Sequence, residues 1–252
     1  ERRALDFDAL GTVTLFLTIA PFLVAVNQVP HLGLAAPSVG GLLAASVAFL
    51  ALFLYVESRA KAPILALGLF RDAGFTGANI SNFLFFVAHA ALTFLVRFLL
   101  IRGMGYAPIS AGLVVTTVPV MRIIVAPAAG VLADRIGSAI PWGVGLALMA
   151  AGLAALSLLT ASAGLADIVW RLMVVGTGAA LFEPPNNSVI MGAVPQERLG
   201  TASAVVATGR QIGQSVGLAV TSAVFVGRQT WHVAALARSG VDPAEAAVRA
   251  LV

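Results

Sequence analysis

Apolar residues come in long uninterrupted blocks in this chain. From residue 9 to residue 56 there is no Asp, Glu, Lys or Arg. A polar turn over 27–41, holding Gln28, Pro30, His31 and Pro37, divides that block into two segments of roughly 18 residues, each long enough to cross a bilayer as a helix. A connector with Glu57, Arg59, Lys61, Pro63, Arg71 and Asp72 leads to a third apolar segment at 73–96. Four more follow at 109–133, 139–160, 166–194 and 199–226, separated by short loops at 97–108, 134–138 and 195–198. The sixth is expected to break at Pro184–Pro185, and 227–252 to be an amphipathic tail at an interface or in a loop. No stretch carries the two-residue period of a half-buried strand. The predicted fold is all-α, a polytopic transmembrane bundle of about seven spans.

Composition agrees with a bilayer as solvent. Hydrophobic residues make up 60% of the chain, charged residues 10%, and mean hydropathy is +0.99. Soluble domains carry about 25% charged residues, so a hydrated surface is out of reach here. The net charge of +4 comes from arginines scattered singly, without the basic stripe that tracks phosphates, which excludes a nucleic-acid partner. With no cysteine there is no disulfide framework or thiol chemistry, and no cofactor is expected. The start at Glu1 and the stop at Val252 inside an Ala-rich stretch suggest a piece of a longer polypeptide. The first apolar segment lacks the cleavage pattern of a signal peptide. Placing Glu1 in the cytoplasm puts Arg2, Arg3, Arg59, Lys61, Arg71, Arg135 and Arg198 inside, and leaves Arg97, Arg102, Arg171 and Arg228 near outer helix ends.

Against this background three charges stand out, because Arg122, Glu183 and Arg210 sit inside apolar segments. An ionised group there costs at least about 2.5–3.5 kcal/mol on insertion scales, so such residues face a polar cavity or a partner. Glu183 is followed by Pro184, Pro185, Asn186 and Asn187, and the two asparagines at i+3 and i+4 can share its face. The prolines deprive the carbonyls of Ala180 and Leu181 of their helical donors, a feature of broken helices at transporter sites. Glu183 is therefore the candidate for proton or cation binding. The alternative is a structural kink in which Glu183 pairs with an arginine, Arg122 or Arg210, from another helix. On the third segment Asn79, Asn82, Phe86, His89 and Thr93 recur at spacings of 3, 4, 3 and 4, one stripe that either lines an aqueous cavity or hydrogen-bonds to neighbours. On the seventh, Gly209, Gly213, Gly217 and Thr221 form a small-residue seam for close helix packing, next to Arg210 and Gln214.

The run GVLADRIG at 130–137, with Gly130, Asp134, Arg135 and Gly137, resembles the cytoplasmic gating signature of the major facilitator superfamily, in which Asp134 would cap or neutralise a helix end. Further runs (LFR at 69–71, GYAPISAGL at 105–113, GTGAALFEPPNNS at 176–188, VPQERLGTAS at 194–203 and RQIG at 210–213) are similar to the EmrB/QacA-type drug:proton antiporters with fourteen spans. The resemblance implies that 1–72 holds the two central linker helices and their connector. By the same resemblance 73–226 holds five of the six helices of the C-terminal half, and 227–252 a stretch before a missing last helix. It implies a bacterial inner-membrane exporter of amphipathic small molecules, driven by protons and completed by an N-terminal half. The third and sixth segments would then line the cavity, through Asn79, Asn82, Phe86, His89, Asn186 and Asn187. The chain departs from the family in carrying Arg97 and Arg102 before the Gly-Tyr loop and an acid at 183. Rival expectations are an exporter of one metabolite or lipid, and a seven-helix receptor or scaffold. An enzyme is not expected, since no nucleophile–base pair or metal-ligand set is visible.

Overall fold

The computed structural model describes residues 9–33, 36–60, 67–159 and 163–238, and within them every regular element is helical. The helices are α1 (Ala9–Leu32), α2 (Pro37–Arg59), α3 (Ala73–Phe98), α4 (Pro108–Val115), α5 (Thr117–Ile136), α6 (Ala139–Ser157), α7 (Leu165–Gly192) and α8 (Leu199–Arg238). In hydrocarbon each backbone polar group must be satisfied within its own segment, so an apolar run this long has a helix as its only open form. Local chemistry sets the ends. Pro37 and Pro108 stand at the first turns of α2 and α4, where a missing N–H costs nothing. The Asp72 carboxylate accepts from the Phe75 N–H at 2.8 Å and caps α3. Gly137, at φ +84° and ψ 155°, ends α5 in a backbone region open essentially to glycine alone.

Among the described residues, six helical spans are long and apolar enough to cross a membrane: Leu10–Val29, Pro37–Arg59, Ala73–Gly103, Pro108–Ile136, Ala139–Ser157 and Leu165–Gly192. The fourth combines α4 and α5, which meet at Thr116. The expected seventh segment lies in α8, whose 40 residues exceed a membrane crossing, while Arg210, Gln211 and Gln214 dilute its apolarity. Two expectations need correction. Pro184 and Pro185 do not break the sixth span: α7 runs through both without interruption. The tail, expected as a surface stretch from 227, begins as a continuation of α8 to Arg238, and its remainder lies outside the described residues. Large apolar side chains point outward, with Ile109, Ile123 and Leu158 exposed by 80%, 76% and 75%. In water such a surface would aggregate, whereas among lipid tails it is solvated.

The chain forms two compact units, Glu1–Val87 with Ala193–Val224, and Ala88–Gly192 with Phe225–Val252. In the first, α1 packs on α2, and Ala25, Val26, Val29, Val39 and Ala219 form a buried cluster. The Ser46 hydroxyl donates to the Thr18 carbonyl at 2.8 Å across that pair. Close approach to the early turns of α3 depends on α8 glycines. A Cβ at Gly213 would fall 2.7 Å from the Phe83 carbonyl oxygen, and one at Gly217 would meet the Val87 backbone. Gly209 has room, its nearest neighbour being Asn82 Nδ2 at 3.8 Å. In the second unit α7 is the central element, packed on both α5 and α6. Gly176 takes α5 against Val118 and Met121, while Gly178 and Gly145 bring the α6 and α7 backbones together. A Cβ on Gly145 would stand 2.5 Å from the Phe182 nitrogen and 2.7 Å from the Gly178 oxygen.

Backbone, unlike a side-chain tip, cannot step aside. Gly145→Val and Gly178→Leu are therefore expected to lower stability by about 1–3 kcal/mol or more, read as a fall in the melting temperature of detergent-solubilised protein. Gly143→Ala is the control, since Gly143 meets nothing within 4 Å, and its melting temperature should hold or rise. On α8, Gly217→Val should destabilise and Gly209→Ala should not. Equal melting of all five variants would contradict this packing.

Candidate functional site

Two of the three intrahelical charges meet in the second unit. Arg122, one turn after Pro119 on α5, donates from Nη2 to Oε2 of Glu183 on α7. The side chains keep 30% and 13% exposure, so the pair is neither sealed in the core nor free in solvent. It sits in an open cleft of about 460 Å³ lined by Pro119, Ile123, Ala126, Ala180, Glu183, Pro184 and Asn187. Pro184 has no N–H to give the Ala180 carbonyl, and both residues line the cleft. Asn187 adds an amide whose Oδ1 is buried without a hydrogen-bond partner. A buried acceptor left unpaired costs about 1–3 kcal/mol, a cost usually explained by function or by a bound molecule.

Asn186 does not share this face, contrary to the i+3 expectation. It is turned to α6, where its Oδ1 accepts from Trp142 Nε1 at 3.0 Å, and the Trp142 ring lies near Phe182 with centroids 6.5 Å apart. Its Nδ2 is buried without a partner. Sequence reasoning missed Trp142 altogether. The only available signal was an amphipathic indole in an otherwise featureless apolar helix, and a Trp N–H that is buried needs an acceptor. The other expected partner of Glu183, Arg210, instead holds its guanidinium 5.2 Å from the centre of the Phe86 ring in the first unit.

The α3 stripe does not converge on a single cavity. In the first unit Asn79 lines a pocket of about 490 Å³ with Thr76, Phe83, Thr201, Thr208 and Gly209, and donates from Nδ2 to the Phe75 carbonyl at 2.8 Å. Asn82 is buried and donates to the Val206 carbonyl of α8 at 3.3 Å, and Phe86 is buried. Asn82 is thus interhelical glue. In the second unit His89 and Thr93 line a cavity of about 220 Å³ with Arg97, Thr116, Pro119 and Leu172. Pro119 is a wall of both this cavity and the Arg122–Glu183 cleft. Of the predicted gating residues, Gly130 lies within α5, Asp134 and Arg135 are exposed in its last turn, and Gly137 makes the stop. Asp134 forms no ion pair among the described residues.

Chemically, the cleft offers a carboxylate whose counter-ion is a guanidinium on another helix, together with the unshared amide oxygen of Asn187. It can exchange one cationic partner for another, or a proton for the arginine, without a covalent step.

Comparisons with known proteins give the family. The profile of the Major Facilitator Superfamily matches residues 7–218. The uncharacterized transporter YebQ of Escherichia coli is 33% identical over 69% of this chain and 39% of its own length. The multidrug resistance protein Stp of Mycobacterium tuberculosis is 31% identical over 89% of this chain and 42% of its own. The tetracenomycin C resistance and export protein of Streptomyces glaucescens is 30% identical over 98% of this chain and 47% of its own. The chain thus spans less than half the length of each of these relatives. Six membrane-crossing helices and a profile match over well beyond half the chain lead to one assignment: this is an integral, multi-pass membrane protein of the Major Facilitator Superfamily, a family of transporters and not of enzymes, whose place in a bacterium is the inner membrane.

Proposed function

We propose that the chain is the C-terminal portion of a proton-driven exporter of amphipathic compounds of the fourteen-span EmrB/QacA type. In this reading α1 and α2, within 1–72, are the central pair. The helices within 73–226 supply five of the six spans of the second half, and 227–252 leads to a last helix. An N-terminal half faces the substrate cavity. Relatives named for multidrug resistance and for drug export, each about twice as long as this chain, support it. The observation that carries it is the Arg122–Glu183 pair, held in a cleft with the unpaired Asn187 amide.

The proposed cycle follows from charge balance. Ionised Glu183 holds Arg122 and so ties α5 to α7. A proton arriving from outside converts the carboxylate to a neutral acid, which no longer holds the guanidinium. The freed charge cannot stay unpaired at that depth, so the helices move until a counter-charge or water reaches it. Rocking of the two halves about the cavity turns that local change into alternating access. Asn79, His89 and Asn187 contact substrate, Asn82, Phe86 and Asn186 hold the helices that carry them, and Gly130, Asp134, Arg135 and Gly137 form the cytoplasmic gate. A relative named as the riboflavin transporter RibZ, 30% identical over 70% of this chain, supports a second reading in which one metabolite is the cargo.

Everted vesicles carrying the full-length protein separate pairing from transport. Glu183→Gln should abolish proton-dependent dye efflux. It should also lower the melting temperature, by less than the ~3–5 kcal/mol of a fully buried pair, because this pair is partly exposed. Arg122→Gln combined with Glu183→Gln should recover melting without recovering transport. A wild-type efflux rate in Glu183→Gln would end the proton role. Mutual inhibition by chemically unrelated dyes is expected for a multidrug exporter, and inhibition by flavin alone would favour the metabolite reading.

A further inference from the structure

Arg97 has no part in the cycle above. It stands in the last turn of α3 and lines the 220 Å³ cavity of the second unit together with His89, Thr93 and Thr116. Residues 89, 93 and 97 are each four apart, so their polar groups stack along one ridge of the helix. No Asp or Glu lines the cavity, and among the described residues Arg97 forms no ion pair. The remaining walls, with Leu92, Val96, Val118 and Leu172, are apolar. An exposed guanidinium, an imidazole and apolar walls around one half-open cleft describe a receptor for an anion on a hydrocarbon body.

We propose that this cavity binds the carboxylate of an organic acid, with Arg97 as its anchor. The guanidinium fork matches a carboxylate with two parallel N–H donors. The hydroxyls of Thr93 and Thr116 donate to the carbonyls of His89 and Leu113, so they present lone pairs to the cavity until they rotate. They are secondary contacts. The inference deepens the export reading and rests on it for the direction of travel: the cargo would be an amphipathic acid. Because Pro119 is also a wall of the Arg122–Glu183 cleft, bound acid and bound proton would lie on adjacent faces of α5.

The test is equilibrium dialysis of radiolabelled benzoate against purified full-length protein in phosphatidylcholine vesicles, without a proton gradient. Wild type should bind benzoate saturably and benzamide far more weakly. Arg97→Gln should weaken benzoate about tenfold or more, the loss expected when a charged hydrogen bond is removed, and Arg97→Lys should recover part of it. Arg102→Gln, which does not line the cavity, should bind as wild type does. Because binding is measured without a proton gradient, failure of the proton role leaves this measurement intact. Equal binding of benzoate and benzamide, or wild-type affinity in Arg97→Gln, overturns the proposal. Displacement of benzoate by added phosphatidylglycerol in wild type would assign the anion to a lipid headgroup and overturn it as a substrate site.

Discussion

An ionised side chain at membrane depth persists only if a charge of opposite sign can be brought to it, and that requirement organises the second unit of this protein. Arg122 and Glu183 come from helices that must approach closely before their side chains meet. Gly176 makes the approach possible, seven residues before Glu183 and facing Val118, which lies four before Arg122. A side chain there would hold α5 away from α7 and leave two charges in hydrocarbon. Packing by small residues and pairing of charges are thus one constraint, since without a hydrophobic force between helices in lipid it is close contact that sets the geometry.

The proline pair in α7 illustrates how irregular chemistry is accommodated inside a regular helix. Pro184 and Pro185 cannot donate, yet the helix continues on both sides, and Pro184 lines the cleft that holds Glu183. The adjacent asparagines divide their work. Asn186 is tied to Trp142 and helps hold α6 against α7, while Asn187 stays in the cleft with an unshared oxygen. One amide stabilises and the other remains available, a division suited to a site that must stay rigid while its occupant changes.

The α3 stripe shows the limit of periodicity as a guide. Spacings of 3 and 4 correctly align Asn79, Asn82, Phe86, His89 and Thr93 on one ridge, but a ridge longer than 20 Å passes several neighbours. Asn82 is spent on the Val206 carbonyl, Phe86 lies under Arg210, and His89 opens into a cavity with Arg97. Being aligned did not mean sharing a destination.

The helical character, six of the seven expected membrane-crossing segments and the charges set within them were legible in the residues alone, because hydrocarbon enforces its rule on each segment separately: satisfy the backbone within the helix and expose only apolar atoms. The family was legible as well, since its signatures are contiguous runs. Pairing was not. Whether Glu183 would meet Arg122 or Arg210, that Asn186 would find Trp142 and that the prolines would leave α7 unbroken depend on how each helix is rotated about its axis and how near its neighbours come. Arg122 and Glu183 stand 61 residues apart in sequence, and only the packed bundle brings their charges within reach of each other.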